Sequence, residues 1–441
     1  MSRPTGRWSV VPSRRQFEVS GMCTMIPGRL RWSSLWFVWL VACGCAGANA
    51  ASTADAGMLV QLAGCSYDEV KNALDTTPDG ATVEVGSGEC TWPQMITRYG
   101  GVHLKGAGAA NTIVHVATPV GDETTQLLKF NCWSGGTMEL SGIRFVGVLD
   151  TPGYTAGVVF YGCRDFKIHD NDFRNFKGVA LTIASVPDFP GTEGWDSRGV
   201  VYRNRFTGNH YTGTGYGVAA YGGSRRSPLL LGELNSEAVF IEDNYFEDNR
   251  HSVTSNYGGR YVFRHNTLAS SEAAWEDPAV DAHGIQLEGE VGTHSWEIYN
   301  NTFHIIGGNP DTAAKAIQLR GGDGVVFGNT IDPGYAHTLI LRLEWWTDEL
   351  PEGTERCEIR PYYPYPANFG GQTQNAWFWD NTVRGTTEGG VSLAGCDYYF
   401  DEGRDYFLRA PTVDDLGYAY HPFTYPHPLR GEDGIFANGF D

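Results

Sequence analysis

Two histidines and a lysine occupy comparable places in successive segments of this chain, and all three could take part in proton transfer. His251, His283 and Lys315 each directly precede a short run in which apolar and polar residues alternate. An imidazole or a desolvated amine can accept a proton near neutral pH, and stacked cations would favour the neutral form of Lys315. Arg320 and Arg342 follow in nearby runs and could neutralise a carboxylate. These residue types predict a site that removes a proton beside a carboxylate group.

The polar side chains around these residues depend on how the runs align. A strand directs the second and fourth residues of each run inward, and the third and fifth toward solvent. Aligned by their inward residues, the predicted strands are 180–184, 217–221, 252–256, 284–288, 316–320 and 340–344. The outward side chains expected to contact a bound ligand are Gln286, Gln318, Arg342, Glu344 and Tyr221.

The residue before each run is assumed to face outward too, since a turn can change the alternation. His251, His283 and Lys315 would then stack on the sheet that carries Glu288 and Arg320. Asp281 stands two residues before His283 and could orient its imidazole. The predicted catalytic set is therefore His283, Lys315, Arg320, His251, Glu288 and Asp281. The competing interpretation is that the stacked charges are ordinary cross-strand ion pairs of roughly 0.2–1 kcal/mol each.

Two reaction types fit these residues. A lyase needs a base with a tuned pKa and a cation near the carboxylate of its substrate. A hydrolase needs two carboxylates, and Glu288 and Glu344 would lie two coils apart, roughly 9.6 Å at the spacing of neighbouring strands. Arg320 between them would keep both ionised, which is unfavourable for a general acid. We therefore favour elimination over hydrolysis.

Insertions flank this predicted face and could form the walls of a groove. Trp275 and Trp345 lie in two of them, and aromatic faces pack well on the apolar faces of sugars. A groove with a few convergent polar groups suits a linear polymer. The aromatic insertion could equally pack on the wall of the fold. Glu276 and Asp277 are hard oxygen ligands that could bind Ca²⁺.

The elements that position these residues are indicated by a repeat. In seven segments a strand-like run is followed by Asn, one variable residue and an apolar residue, and the seven are Asn171, Asn204, Asn244, Asn266, Asn301, Asn329 and Asn381. The intervals range from 22 to 52 residues. Irregular intervals favour a solenoid, because extra residues can leave each coil as a loop. An Asn at one turn of every coil predicts an amide ladder along the axis.

The two ends of the repeat have their own signals. Ser66 followed by Glu69 is typical of a helix start, and a short helix there would cap the first coil. The tail is rich in Pro and Tyr, and we expect it to lie across the last coil as an irregular cap. The predicted organisation is a leader over 1–50, an N-terminal cap and first coil over 51–100, a parallel β-helix over 101–402, and a C-terminal cap and tail over 403–441.

Residues 1–50 resemble an export leader. Arg29 and Arg31 precede an apolar run over 35–42 that is too short to span a membrane. Cleavage after Ala50 would release the protein into the periplasm or the medium. The alternative is a lipobox ending at Cys43, with a lipid anchor there and an outer-membrane lipoprotein as the product.

Charge and cysteines constrain the mature protein. The whole chain carries −19, and the first 50 residues hold six Arg and one Glu, a net +5, which leaves −24. Such an acidic protein is a poor general binder of nucleic acid. No coiled-coil stretch or second domain is evident, so we expect a monomer. Six cysteines remain, and an exported chain would pair them; proximity in coil order suggests Cys65–Cys90, Cys132–Cys163 and Cys357–Cys396.

The chain resembles the bacterial right-handed parallel β-helix proteins of the pectin-lyase-like superfamily. The resemblance is carried by residues 101–108, the Asn repeats, residues 297–303, and 403–407 with 425–429. It implies an all-β, single-stranded right-handed parallel β-helix. Characterised members are mostly polysaccharide lyases, glycoside hydrolases and uronate epimerases, with phage tailspikes and adhesins. The paired Asp and Gly-His-Gly set of polygalacturonases is missing here, so no catalytic residue carries over.

Residues and resemblance together give one expectation for function. We expect an exported protein that acts on a linear, uronate-containing polysaccharide by β-elimination. The alternatives are a glycoside hydrolase on the same fold and a non-catalytic polysaccharide-binding or adhesin protein. A bound Ca²⁺ could assist, and no other cofactor is indicated.

Overall fold

The chain winds through three β-sheets in a repeated order, so that each coil gives one strand to each sheet. The computed structural model describes residues 57–133, 136–186, 195–211, 213–223, 228–271, 277–284, 292–307, 314–342, 373, 375–383, 386–388, 391–394 and 400–431. We call the sheets A, B and C in the order in which the chain meets them. Neighbouring strands are parallel throughout, except where the last two strands of sheet B pair antiparallel. The predicted all-β parallel β-helix is confirmed.

The strands belong to the sheets as follows. Sheet A contains β1 Leu59–Gln61, β2 Thr82–Val85, β5 His103–Gly106, β8 Glu139–Ser141, β11 Arg164–His169, β14 Arg198–Tyr202, β17 Val239–Glu242, β20 Arg260–Arg264, β23 Ser295–Tyr299, β26 Asp323–Phe327, β29 Ala376–Trp379 and β33 Tyr406–Phe407. Sheet B contains β3 Gly88–Trp92, β6 Thr112–Val116, β9 Arg144–Val146, β12 Asp172–Arg174, β15 Arg205–Thr207, β18 Tyr245–Glu247, β21 Thr267–Ser270, β24 Thr302–Ile305, β27 Thr330–Ile331, β30 Asn381–Val383 and β31 Thr386–Glu388. Sheet C contains β4 Ile96–Tyr99, β7 Thr124–Asn131, β10 Tyr154–Tyr161, β13 Val179–Ala184, β16 Tyr216–Tyr221, β19 His251–Asn256, β22 Pro278–Ala282, β25 Lys315–Leu319, β28 His337–Arg342 and β32 Ser392–Ala394.

The seven repeated asparagines form the predicted ladder at the turn between sheets A and B. From Asn171 to Asn329, the Nδ2 of each of the first six donates to Oδ1 of the Asn in the next coil, at 2.9 to 3.1 Å. All seven side chains are buried, so these bonds satisfy amides that would otherwise be costly to desolvate. The residue before each Asn has a positive φ, and these residues are Asp170, Arg203, Asp243, His265, Asn300, Gly328 and Asp380. One turn geometry is therefore repeated along the whole stack.

The lengths of the three connections differ. From β8 to β27, the connection from sheet A to sheet B is always two residues, such as 170–171 and 328–329. The connections that enter and leave sheet C vary widely, from the two residues 162–163 to the insertion over 343–375. Connecting segments of variable length therefore border sheet C on both sides.

The interior of the coils holds stacked apolar side chains. Phe145, Phe173, Phe206 and Phe246 are fully buried on successive strands of sheet B. Their neighbouring ring centroids lie 5.3, 4.9 and 4.9 Å apart. Stacking at this spacing follows from the separation of neighbouring strands.

The N-terminal end follows its sequence signals. Helix α1, Tyr67–Thr76, begins after Ser66, whose side chain accepts a hydrogen bond from the backbone N–H of Glu69. Its buried face is formed by Val70, Ala73 and Leu74, which pack into the core. The disulfides Cys65–Cys90 and Cys132–Cys163 are both formed, as predicted. The predicted Cys357–Cys396 pair lies outside the described residues.

The C-terminal tail does not lie across the last coil as predicted. After β33 pairs with β29, a short helix α2 follows at Val413–Leu416, and the tail then runs back along the outer face of sheet A. Arg264 is fully buried there, and its Nη2 donates to the carbonyl of Thr424 at 2.8 Å. Arg430 donates to the buried Glu242 at 2.9 Å. The prediction failed because the outer face of sheet A is itself apolar, which alternation along a single strand does not reveal.

The leader over 1–50, with its lipobox at Cys43, also lies outside the described residues. Within the described residues, no helix is both long enough and apolar enough to cross a bilayer.

Candidate active site

The strand that carries the central carboxylate is not the one predicted. Pro278–Ala282 forms β22, and its Val280 lies in register with Val253 of β19 and Ile317 of β25. The sequence prediction had put Ile285 in that place, within a strand over 284–288. Apolar and polar residues alternate in both runs, 278–282 and 284–288. Alternation alone therefore could not distinguish the two registers, which differ by five residues.

A similar shift affects the last coil of the site. Leu339 aligns with Ile317, so the observed strand β28 is His337–Arg342 instead of 340–344. Arg342 therefore lies in the column of Arg320. The sequence prediction placed it in the column of Gln318 instead. A shift of two residues leaves the same side chains facing inward, so the pattern of apolar residues fits both registers equally well.

These registers change the neighbours of His283. It directly follows β22 and falls in the outward column of Arg320, five residues along the strand from the place predicted for it. Pro278 takes that place and pairs with Lys315. The predicted stack of His251, His283 and Lys315 in one column is thus wrong, although all three lie on the same sheet.

Asp281 is the centre of a buried cluster on the outward side of sheet C. Nε of Arg320 donates to its Oδ1 at 3.0 Å, and Nη2 contacts its Oδ2. Nε2 of His283 lies 2.8 Å from the same Oδ2, and Nε2 of His251 lies 3.8 Å from it. Together with Tyr216, whose ring packs on both imidazoles, we call these five side chains the Asp281 cluster. The sequence prediction of four of them as neighbours is supported by these distances.

Electrostatics keep Asp281 ionised. Its side chain is fully buried, and burial alone would raise the pKa of the carboxyl. The Arg320 guanidinium and the His283 imidazole outweigh that effect and hold the pKa of Asp281 well below its usual range. The carboxylate therefore acts as a fixed negative charge between one guanidinium and two imidazoles.

His251 has a defined tautomer. Its Nδ1 lies 2.6 Å from the carbonyl oxygen of Pro278, which can only accept, so Nδ1 carries the proton. Burial lowers the pKa of His251 to about 3, and the ring is neutral near pH 7. The ring stacks on Tyr216 with centroids 5.1 Å apart.

His283 is held from two sides, and both of its ring nitrogens are buried. Its backbone N–H donates to Ser255 O at 3.0 Å, and its carbonyl accepts from Thr293 N at 2.8 Å. Nε2 faces the Asp281 carboxylate, which favours a proton on that nitrogen, although the N–H direction is off the line of a hydrogen bond. Nδ1 has no hydrogen-bond partner among the described residues. An imidazole oriented in this way can accept a proton at Nδ1.

Tyr216 and Arg250 belong to the site but were not predicted to act there. Nη1 of Arg250 donates to the hydroxyl of Tyr216 at 2.8 Å, and its Nη2 lies 3.1 Å from Asp277 Oδ1. Tyr216 is in register with His251 across β16 and β19. The sequence alignment already placed Tyr216 in register with His251. An aromatic residue one coil before a predicted base could therefore have indicated that Tyr216 belongs to the site.

The other predicted site residues divide into two groups. Gln318 is buried in register with Asp281, Lys315 is half-buried at the start of β25, and Arg342 is exposed at the end of β28. Tyr221 is half-buried at the end of β16, and burial raises the pKa of its hydroxyl. The predicted residues that lie outside the described part of the chain are Glu276, Gln286, Glu288, Glu344, Trp275 and Trp345.

The cluster could in principle hold a metal ion, because one ligand atom each of His251, Asp281 and His283 lies within 4.8 Å of the others. Two imidazole nitrogens do not suit Ca²⁺, which prefers oxygen ligands. Arg320 already contacts both carboxylate oxygens of Asp281 and occupies the position of a counter-cation. Asp277, predicted as a Ca²⁺ ligand, lies beside Arg250.

Comparison with known proteins gives likeness in fold. No family model matches this chain, and no curated protein matches it. Among solved structures, an alginate lyase from Paenibacillus sp. str. FPU-7 is similar with a TM-score of 0.49 and 12% identity, over 76% of this chain and 97% of that one. A mannuronic acid specific polysaccharide family 6 lyase from human gut microbiota has a TM-score of 0.42 and 14% identity, over 77% and 76%. A family 28 exopolygalacturonase from Yersinia enterocolitica has a TM-score of 0.29 and 12% identity, over 77% and 76%. The likeness is one of parallel β-helix architecture.

Proposed function

We propose that this protein is a lyase that cleaves a uronate-containing polysaccharide by β-elimination at the Asp281 cluster. The observation that carries the proposal is the geometry of His283. Its Nε2 lies against an ionised, buried carboxylate, while Nδ1 has no partner among the described residues. The side chain is 9% exposed, compared with 1% for His251. Both ring nitrogens of His283 are buried, but its ring is the less deeply enclosed of the two imidazoles, and we therefore assign the contact with the substrate to His283.

His283 acts as the base. Its Nδ1 takes the proton from the carbon beside the sugar carboxylate, C5. The electron pair of that C–H bond forms a double bond between C4 and C5, and the bond from C4 to the glycosidic oxygen breaks. The imidazolium then returns the proton to the leaving oxygen. Asp281 orients the ring and stabilises the imidazolium that forms, which is the usual contribution of such a carboxylate.

Cations next to His283 stabilise the negative charge that develops on the substrate carboxylate. Arg320 lies one coil from His283 and Arg342 lies two coils away in the same outward column. Arg320 is already bridged to Asp281, whereas Arg342 has no carboxylate partner among the described residues. Arg342 is therefore the cation that would contact the substrate carboxylate.

The charge state of Asp281 argues against hydrolysis at this cluster. A glycoside hydrolase needs a carboxylic acid whose pKa is raised, and the pKa of Asp281 lies well below its usual range. Hydrolysis by Glu288 and Glu344 remains the alternative, and a non-catalytic polysaccharide-binding protein is the third. Export fits the two disulfides, which persist in oxidising compartments.

The test is to incubate the purified protein with polymannuronate, polyguluronate and polygalacturonate, with and without a chelator. Elimination creates an unsaturated product, so ultraviolet absorbance should rise with the number of new reducing ends. Reducing ends without absorbance would overturn elimination in favour of hydrolysis. Binding without either signal would leave a polysaccharide-binding role. A chelator that abolishes the absorbance would require a metal in the reaction.

A further inference from the structure

Tyrosines recur at every second coil in one outward column of sheet C. The residues of this column are in register from Tyr99 of β4 through Asn131, Tyr161, Ala184 and Tyr221 to Asn256 of β19. Tyr99, Tyr161 and Tyr221 are therefore each two coils apart, roughly 9.6 Å at the spacing of parallel strands. We call these three residues the tyrosine column. Its next position, one coil beyond Asn256, is His283 of the Asp281 cluster.

The N-terminal end of the column is an exposed aromatic surface. Tyr99 is 68% exposed and Trp133 is 57% exposed. The rings of Trp133 and Tyr161 lie 5.8 Å apart at 38°, and Nζ of Lys129 lies 5.1 Å over the Tyr161 ring. Large aromatic side chains grouped at the surface indicate a binding site, and their faces suit the apolar faces of pyranose rings.

The charge of this surface is unlike that of the rest of the protein. The chain carries −19 overall, yet the six strands of sheet C from β4 to β19 contain no Asp or Glu. Strands of the other two sheets in the same coils carry carboxylates, and these are Glu84, Glu89, Glu139, Asp165, Asp172, Glu242 and Glu247. In an acidic protein, six neighbouring strands that carry Lys129 and no carboxylate favour contact with an anionic ligand.

We propose that the tyrosine column, with Trp133 and Lys129, is an extended binding track for the uronate polymer whose cleavage at the Asp281 cluster is proposed above, on which this inference rests. The polymer lies parallel to the stack, across the strands, with a ring near each coil and an aromatic contact at every second ring. Two coils are comparable in length with a disaccharide of an extended pyranose chain. From Tyr99 to His283 there are six coil steps, roughly 29 Å, so long chains contact the track fully and short oligomers only in part.

The experiment measures binding in a His283→Ala background, so that turnover does not consume the ligand. Polymannuronate, polyguluronate and polygalacturonate are the probes, with neutral xylan as the uncharged control, and affinity is read by calorimetry. Tyr99→Ala and Trp133→Ala should each weaken binding of the preferred polymer roughly threefold to tenfold, the range for one aromatic contact. Tyr99→Phe keeps the ring and should bind like the parent. Lys129→Gln should weaken binding, and its control Lys71→Gln, on helix α1, should not.

The outcomes separate the track from the chemistry. Loss of binding in Tyr99→Ala and Trp133→Ala, in a protein whose wild type cleaves nothing, would support the track and overturn the proposed lyase. Parent-like binding by both alanine variants would overturn the track even if cleavage is observed. Equal binding of xylan and the uronates, or failure of all the polymers to bind, would also overturn it. In the cleaving protein, Tyr99→Ala and Trp133→Ala should raise KM for long chains.

Discussion

Asp281 lies on β22 and Arg320 directly follows the neighbouring strand β25, and the guanidinium reaches diagonally across to both oxygens of the carboxylate. Both side chains are buried. His283 shares the same carboxylate from the same side, so one negative charge is balanced by a permanent cation and by an imidazole that can change its charge. The Asp281 carboxylate therefore both stabilises the sheet, through Arg320, and orients His283, the proposed base.

Asp281→Asn should destabilise the fold, because it removes the buried carboxylate charge that the Arg320 guanidinium contacts through two of its nitrogens. Breaking a buried ion pair in this way costs about 3–5 kcal/mol, to be measured by urea unfolding. The double variant Asp281→Asn/Arg320→Gln removes both charges and should recover part of the loss. If the single and double variants unfold at the same urea concentration, the loss of stability does not come from breaking the ion pair between Asp281 and Arg320.

His283→Gln should lower turnover by roughly 10²–10⁴ while leaving the melting temperature close to that of the wild type, since a positioned base contributes in that range. Steady-state absorbance and thermal melting measure the two effects. His421→Gln, at an exposed position in the tail, is the matched control and should change neither. Retained activity in His283→Gln would assign the base elsewhere.

His251 should remain uncharged over the whole working range of pH. Because burial lowers its folded pKa to about 3, the unfolded chain takes up a proton near pH 6.5 while the folded protein does not. This residue therefore contributes a loss of stability as pH falls from about 6.5 toward 3. An NMR titration should find the His251 ring resonances unchanged from pH 8 to pH 4. A midpoint near 6.5 would contradict the buried, neutral state.

Asn244→Ala should cost about 2–3 kcal/mol, because it removes an acceptor from the ladder amide of Asn204 and donors to Asn266 and two carbonyls. Chemical denaturation measures the loss. The control is Asn72→Ala on the exposed face of α1, which should change stability by no more than about 0.5 kcal/mol. Equal effects of the two substitutions would mean that the ladder adds no stability.

Sequence patterns could predict the features that repeat or that are local. The Asn ladder, the cap at Ser66 and two disulfides are of this kind, since each depends on a residue type at a fixed turn or on a short separation along the chain. The register of β22 and β28 could not be predicted, because several slips satisfy the same apolar alternation. The course of the tail depends on a face of sheet A that only the assembled stack creates.

For the candidate site, too, the sequence could predict some features and not others. Its residue types, and the sheet that carries them, followed from the sequence. The partner of each residue did not, because a five-residue shift moved His283 from the column of Lys315 to that of Arg320. Tyr216 was visible in the alignment, but its significance came from its packing on His251 and its bond to Arg250.

The constant two-residue turns between sheets A and B have a consequence for how such a protein can diverge. With the ladder corner fixed, insertions and deletions are tolerated only where the chain approaches or departs from sheet C. Descendants of this chain could therefore remodel the rim of the site, and with it the choice of polymer, while the vertical alignment of every coil is inherited unchanged.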